Sequence, residues 1–189
     1  GEKTWAAMQE GAGDSDTRFY KDMVEYHDKI IGRVTDKLDE LGIRDNTIVI
    51  YVGDNGSPQE VCSIVHDHHE VCGGKGLTND RGTHVPLIAE WPGTIAANSK
   101  ISNLVDSSDF LPTIMEIAGI DTPSGFEMDG RSFLPQLKGE TGSPRDWVYF
   151  HFEPLSARNP DRKSRYVRDH HWKLFDDGNL YDLDADPDE

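Results

Sequence analysis

Apolar side chains recur every three or four residues from Thr17 to Leu41, which predicts a long amphipathic helix. Thr17 is a suitable N-cap and Gly42 a suitable C-terminal stop. Gly32 lies within the stripe, where the lack of a side chain would allow close packing against a sheet. The stripe comprises Tyr20, Met23, Val24, Ile30, Ile31, Val34, Leu38 and Leu41.

The run Asn46-Thr47-Ile48-Val49-Ile50-Tyr51 follows, rich in β-branched residues and without polar alternation. Such a run is typical of a strand buried on both faces, as in a parallel sheet covered by helices. A second apolar run, 85–91, ends in the turn Trp91-Pro92-Gly93 and predicts another core strand. The helix and the two strands together predict an α/β fold.

The remaining pattern predicts shorter elements. We expect a short strand over 101–105 and a helix over 106–119, capped by Ser107 or Ser108 and ended by Gly119. Proline and glycine make 121–145 mostly connector. Four β-type runs after residue 146 predict a small antiparallel sheet: 147–152, 165–168, 172–175 and 179–183. We therefore expect two domains, 1–145 and 146–189.

The composition is that of a soluble globular protein, with 35% hydrophobic and 29% charged residues among 189. No apolar run approaches the roughly 20 residues of a membrane span, and the first residues lack a signal-peptide pattern. The formal net charge of −16 argues against nucleic acid as a partner, since phosphate binding needs a basic surface.

Two short motifs suggest chemistry. Asp54-Asn55 follows the first predicted strand, and the carboxyl ends of strands are where α/β sheets bind ligands. Two adjacent oxygen ligands could coordinate a hard cation, and Lys75 within Gly73-Gly74-Lys75-Gly76 could meet an anion. By themselves, the same residues are also common in turns and surface loops.

The segment 57–72 contains two cysteines among histidines and acidic residues, and three interpretations stay open. Cys62 and Cys72 are either disulfide-bonded or free thiols, or they bind zinc with the histidines, although their spacing matches no standard zinc site. In the third, the loop is mobile and its histidines meet a ligand. The other polar residues concerned are His66, Asp67, His68, His69 and Glu70.

A series of motifs, in this order and spacing, resembles the sulfatase family of the alkaline-phosphatase-like superfamily, almost from end to end. They are Tyr26-His27-Asp28, Ile31-Gly32-Arg33, Leu41-Gly42-Ile43-Arg44-Asp45-Asn46-Thr47, Gly53-Asp54-Asn55-Gly56, Gly73-Gly74-Lys75-Gly76, Val85-Pro86-Leu87-Ile88, Trp91-Pro92-Gly93, Asp109-Phe110-Leu111-Pro112-Thr113, Asp129-Gly130-Arg131-Ser132 and the final segment Leu180 to Glu189. The resemblance implies a partial alkaline-phosphatase-like sheet with flanking helices, followed by a small C-terminal antiparallel sheet. It also implies the C-terminal part of a longer, periplasmic or secreted protein.

The resemblance implies hydrolysis of sulfate esters by a formylglycine nucleophile and a divalent cation, usually calcium, with magnesium as the alternative. Asp54 and Asn55 match the family's metal ligands, and Lys75 matches its sulfate-contacting lysine. His84, which stands where the family has an arginine, is a further expected substrate-binding residue, while Arg81 replaces a glycine.

This chain contains no Cys/Ser-x-Pro-x-Arg motif, from which formylglycine is made. We therefore expect the nucleophile in a missing N-terminal part and no activity from this chain alone. The implied substrate is a sulfated small molecule or carbohydrate. A truncated sheet should also expose apolar surface, which predicts self-association or pairing with the missing part.

Two other functions stay open from the sequence. A phosphoesterase or phosphonate monoester hydrolase of the same superfamily would share the sheet and related metal positions. In a non-catalytic binding module, Asp54, Asn55 and Lys75 would persist as structure alone.

Overall fold

The computed structural model describes residues 17–64, 70–153, 163–187 and 189. It divides into two compact units, one ending at Ile88 and the other beginning at Ala89. The domain boundary expected at residue 145 stays a prediction. The histidines and Asp67 of the cysteine segment lie outside the described residues.

The predicted first helix is confirmed. A 3-10 turn, Thr17–Phe19, leads into helix α1, Tyr20–Glu40. Thr17 is not its cap, because the N-cap position falls on Phe19, which makes no side-chain cap hydrogen bond. Gly42 adopts the left-handed φ of 66° that the predicted stop requires.

The apolar stripe of α1 is largely exposed. Five of its side chains are 42–56% exposed: Met23, Val24, Ile30, Val34 and Leu41. Contacts to the rest of the unit include an edge-to-face pair of His27 with Tyr51, 5.5 Å between ring centroids. The Tyr20 hydroxyl also lies 2.7 Å from Ser57 Oγ. A Cβ added to Gly32 would meet no described atom within 4 Å, so the expected close packing there is wrong.

Strand β1, Val49–Val52, follows a 3-10 turn at Arg44–Asn46. Both predicted core strands are present, since β1 pairs with β4, Leu87–Glu90, in a two-stranded sheet. The expectation that β1 is buried on both faces is wrong, because it is half-buried and Val52 is 46% exposed. The reason is that no third strand flanks this sheet within the described part of the chain.

Two short strands and a helical turn lie between β1 and β4. Strands β2, Cys62–Ile64, and β3, Glu70–Cys72, pair antiparallel, and a disulfide joins Cys62 to Cys72, directly opposite each other. Helix α2 is a single turn, Asp80–Thr83.

At several glycines of the first unit, the backbones of separate chain segments are in direct contact. The Gly56 N–H donates to the Gly82 carbonyl at 3.0 Å. A Cβ added to Gly74 would lie 2.5 Å from the Arg81 carbonyl carbon and 2.7 Å from the Gly82 nitrogen. No side chain fits in such a space, so glycine is required there for close approach rather than for flexibility.

In the second unit, a 3-10 turn at Ser107–Asp109 leads into helix α3, Phe110–Ala118. The predicted helix is confirmed, but neither Ser107 nor Ser108 caps it. Asp106 caps the 3-10 turn, with its carboxylate accepting from the Ser108 N–H, and the N-cap position of α3 is Asp109, which makes no side-chain cap hydrogen bond. Gly119 ends it with a φ of 65°. The prediction of a strand over 101–105 is wrong, because only an isolated bridge of Leu104 with Arg145 forms there. The connector that follows contains one short helix, α4, Leu134–Leu137.

Asp109, 2% exposed, joins three separate segments of the second unit. Its carboxylate accepts from the backbone N–H groups of Asp106 and Arg131, both at 2.7 Å. Arg145 adds a two-pronged ion pair, with Nε 2.9 Å from Oδ2 and Nη2 on Oδ1. The hydrogen bond to Asp109 raises the pKa of Arg145 above its ordinary value, against the opposing effect of burial.

The predicted C-terminal sheet is confirmed. Its strands are β5, Val148–Phe152, β6, Ser164–Arg168, β7, Trp172–Phe175, and β8, Leu180–Asp182, antiparallel in the order β5-β6-β7-β8. Phe150 stacks on Tyr166, with centroids 4.9 Å apart, and Tyr166 meets Phe175 at 5.3 Å. The fully buried Lys173 pairs with Glu189 at 2.6 Å, which ties the final residue to the sheet.

Among the helices described here, none combines the length and the apolar character of a membrane span.

Removal of the Asp109 carboxylate should strongly destabilise the second unit. Asp109→Ala leaves the Arg145 guanidinium, only 10% exposed, without its charge partner, and such losses cost about 3–5 kcal/mol. Urea unfolding should show this decrease, whereas Asp121→Ala, an exposed control, should change stability by less than about 0.5 kcal/mol. Equal effects of the two variants would contradict the role given to Asp109.

Two glycine substitutions should act in opposite directions. Gly74→Ala should destabilise the chain by about 1–3 kcal/mol, because its methyl group has no space between Arg81 and Gly82. Gly32→Ala, on an open helix surface, should stabilise it by about 0.5–1 kcal/mol. Thermal unfolding measures both, and a neutral Gly74→Ala would refute the close-packing argument.

Candidate functional site

A cleft of about 500 Å³ lies in the first unit, beyond the end of β1. All four predicted site residues line it: Asp54, Asn55, Lys75 and His84. Separate stretches of the chain, after β1, after β3 and after α2, therefore contribute to one cavity.

Asp54 and Asn55 lie between two anchored glycines. The Gly53 N–H donates to the Pro86 carbonyl at 3.0 Å, and the Gly56 N–H donates to the Gly82 carbonyl at 3.0 Å. Asp54 is exposed and Asn55 half-buried, and no described residue hydrogen-bonds to either side chain. One carboxylate and one amide oxygen are donors that suit a hard cation such as Ca²⁺ or Mg²⁺.

Lys75 is held by its backbone, while its side chain is exposed. Its N–H donates to the Ser57 carbonyl at 2.9 Å, and its carbonyl accepts from Gln59 Nε2 at 3.1 Å. Among the described residues, the Lys75 ammonium has no carboxylate within ion-pair distance. It is therefore a cation on a positioned backbone, available to an anion in the cleft.

His84, the C-cap residue of α2, is exposed, with Nδ1 3.8 Å from Asp80 Oδ2. Arg81 is half-buried and also lines the cleft, as do Tyr20 and Tyr51. The sequence did not predict these three as lining residues. The one signal was at Arg81, which stands where the family pattern has glycine.

The disulfide decides between the interpretations of the cysteine segment. Cys62 and Cys72 are bonded to each other, so the disulfide alternative is confirmed and neither thiol is available to zinc. Cys72 itself lines the cleft, immediately before the glycine–lysine loop.

A second group of possible metal ligands, His171 with Asp182 and Asp184, lies on the C-terminal sheet. His171 Nδ1 is 2.6 Å from Asp184 Oδ2, and Nε2 is 3.6 Å from Asp182 Oδ2. The histidine therefore already has a carboxylate partner at each ring nitrogen, which is sufficient to explain the cluster as a structural contact.

Known proteins share both parts of this architecture. A sulfatase family model matches residues 2–120, and a model of the C-terminal region of N-sulphoglucosamine sulphohydrolase matches residues 74–189. An N-acetylglucosamine-6-O-sulfatase of Bacteroides thetaiotaomicron is 30% identical over 169 residues, which are 85% of this chain and 28% of that protein. A steryl-sulfatase of Rattus norvegicus is 32% identical over 151 residues, 77% of this chain and 26% of that protein.

Solved structures resemble the chain as well. One, a protein in complex with its substrate D-glucosamine-2-N,6-O-disulfate, superposes with a TM-score of 0.67 at 29% identity over 85% of this chain and 32% of its own. The PsFucS1 sulfatase of Pseudoalteromonas sp. gives a TM-score of 0.59 at 27% identity, over 85% of this chain and 35% of its own. The chain thus spans roughly a quarter to a third of the length of these relatives. With its alkaline-phosphatase-like helices and strands and its small C-terminal sheet, the chain belongs to the sulfatase family.

Proposed function

We propose that this chain is part of a sulfatase that hydrolyses sulfate esters, and that its cleft is part of the metal and sulfate site. One observation carries the proposal: Asp54, Asn55 and Lys75, which match the family's site motifs, line a single cleft. The relatives are named as sulfatases of an amino sugar and of sterols, and these names support hydrolysis of a sulfate ester as the reaction class. The substrate is then a sulfated carbohydrate or small molecule.

Lys75 is proposed as the residue that binds the sulfate group. The chain has a net charge of −16, so an anionic substrate needs local positive charge. Lys75 and Arg81 supply it within the cleft, and His84 adds a donor at the same opening. A lysine ammonium is a compact point charge, which suits a tetrahedral anion.

Asp54 and Asn55 are proposed as two oxygen ligands of a calcium or magnesium ion. When bound, such a cation would act as a Lewis acid toward the sulfate oxygens. The contribution of this chain is to hold both side chains between the anchored residues Gly53 and Gly56. Two ligands do not complete a coordination shell of six to eight oxygens, so we propose that the others come from another part of the protein.

We propose that the formylglycine nucleophile and those further ligands belong to additional sulfatase-fold elements. The exposed stripe of α1 supports this, because a row of apolar side chains 42–56% exposed is unusual on a soluble monomer and favours a partner surface. Pairing with the rest of the sulfatase domain would cover it, and self-association is the alternative. The disulfide suits an oxidising compartment, such as the periplasm or the extracellular space.

Lys75→Ala should decrease kcat/KM of the complete enzyme on a sulfate ester by about 10²–10³, as expected for loss of a preorganised charge. Lys75→Arg should restore only part of the lost kcat/KM, since the planar guanidinium replaces the compact charge of the lysine ammonium. Lys29→Ala, an exposed lysine of α1 outside the cleft, is the matched control and should leave kcat/KM unchanged. Near wild-type kinetics of Lys75→Ala would remove Lys75 from the site.

Calcium should bind this chain weakly and through Asp54. Isothermal titration of the metal-free chain should give a heat of binding that Asp54→Ala abolishes, while Asp45→Ala, a control before β1, retains it. Zinc should not compete selectively, because oxygen ligands favour hard cations. Tight binding that survives Asp54→Ala would place the cation elsewhere.

The chain alone should not hydrolyse aryl sulfates, since it has no formylglycine precursor motif. The measurement is turnover of p-nitrophenyl sulfate, with p-nitrophenyl phosphate as a check for phosphoesterase activity. Hydrolysis that rises in proportion to chain concentration and disappears in Lys75→Ala would mean that this chain holds a complete site.

A further inference from the structure

We propose that the Cys62–Cys72 disulfide is a positioning element for the sulfate site, which sets Lys75 relative to Asp54 and Asn55 and makes anion binding depend on the redox state of the chain. The inference deepens the proposed function and rests on it, because Lys75 matters here as the sulfate-binding cation.

The disulfide lies at the base of the loop that bears Lys75. Cys72 is followed directly by Gly73 and Gly74, and Cys72, Gly73 and Lys75 all line the cleft. On the other strand, Val61 precedes Cys62 and also lines the cleft. The disulfide therefore joins the two chain segments at the point where they enter the cavity.

Between the disulfide and Lys75, the two segments run side by side through hydrogen bonds. The Gly73 N–H donates to the Val61 carbonyl at 2.8 Å, and the Lys75 N–H donates to the Ser57 carbonyl at 2.9 Å. A Cβ on Gly73 would lie 2.7 Å from the Ser57 carbonyl carbon, so the two backbones are in close contact. Ser57 follows Asn55 by two residues. These two backbone hydrogen bonds, which form a short ladder, therefore connect Lys75 to the segment that bears the predicted metal ligands.

Within the described residues, the hairpin from which this ladder starts buries little surface apart from its disulfide. Strands β2 and β3 have three residues each, and every residue in them is exposed except the half-buried Cys72. A two-stranded hairpin is marginally stable in water, since it buries too little apolar surface to offset its ordering entropy. Of the three residue pairs between β2 and β3, Cys62 and Cys72 are the pair nearest the cleft. The disulfide therefore holds the hairpin together at the end that leads to Lys75.

Reduction is chemically simple and needs only a thiol. A dithiol donates two electrons and two protons, the sulfur–sulfur bond breaks to give two cysteine thiols, and the dithiol becomes a cyclic disulfide. Once the bond is broken, the first residue pair of the hairpin can separate, and the Gly73 and Lys75 hydrogen bonds are the next to open. The lysine then spends less time in the geometry that meets the anion.

The test is a double-mutant cycle with inorganic sulfate as the probe, followed by NMR of the ¹⁵N-labelled chain. The four proteins are wild type, Cys62→Ser/Cys72→Ser, Lys75→Ala and the combination of all three changes. Loss of the disulfide should weaken sulfate binding on the order of 10-fold, as small displacements of a positioned group do. In the Lys75→Ala background it should have no further effect, because the disulfide acts through Lys75. An equal loss in both backgrounds would show a general structural effect and overturn the proposal.

Amide hydrogen exchange gives a second readout that does not depend on sulfate binding. The Gly73 and Lys75 amides should exchange about 10-fold faster or more without the disulfide, while the Gly53 amide, bonded to Pro86 in the same unit, should not change. Equal acceleration at all three amides, or at none, would overturn the positioning role.

Dithiothreitol applied to the folded wild-type chain provides the same comparison if the serine variant folds poorly, and the serine variant itself should not respond to it. If wild type shows no Lys75-dependent sulfate binding, the proposed function fails, and the exchange rates alone decide whether the disulfide positions the loop.

Discussion

Close approach of backbone segments at Gly56, Gly74 and Gly82 is the constraint on which the candidate site depends. A side chain at any of these positions would meet backbone atoms of the neighbouring segment. Because the segments touch, backbone hydrogen bonds can hold Asp54, Asn55 and Lys75 around one cleft, where Asp54 and Lys75 are exposed and Asn55 is half-buried. The backbone of the candidate site is therefore held by hydrogen bonds while its polar side chains line the cleft, and preorganised electrostatic binding requires such an arrangement.

The first unit differs from an ordinary globular domain in what it leaves uncovered. Among its described residues, 17–64 and 70–88, a two-stranded sheet and a helix with an exposed apolar stripe do not make a closed core. The second unit, in contrast, has a buried centre around Phe133, Leu134 and Leu137 and the Asp109 network. This contrast supports the proposal that the sulfatase site is shared between this chain and further elements of the same fold.

Local hydrophobic patterns predict the helices and strands, but they do not predict contacts between residues that are far apart in the chain. Helix α1 and strands β5 to β8 follow from the spacing of their own apolar residues, so their predicted bounds agree closely with the structure. Burial of β1 depends on what covers the strand, which its own residues do not encode. Asp109 belonged to a recognised motif, but its partners Arg131 and Arg145 lie 22 and 36 residues away, so the motif did not predict the network. The motifs identify Asp54, Asn55 and Lys75, whereas they gave no reason to expect Arg81 in the cleft, where its backbone lies close to Gly56 and Gly74.

In the proposed site, one cleft holds both the cation and the sulfate. A crystal structure of the protein grown with calcium and sulfate would show whether it does. We expect a cation bonded to oxygens of Asp54 and Asn55, and a sulfate within hydrogen-bond distance of Lys75 Nζ in the same cavity. A cation or a sulfate found only outside this cleft, with Lys75 facing solvent, would contradict it.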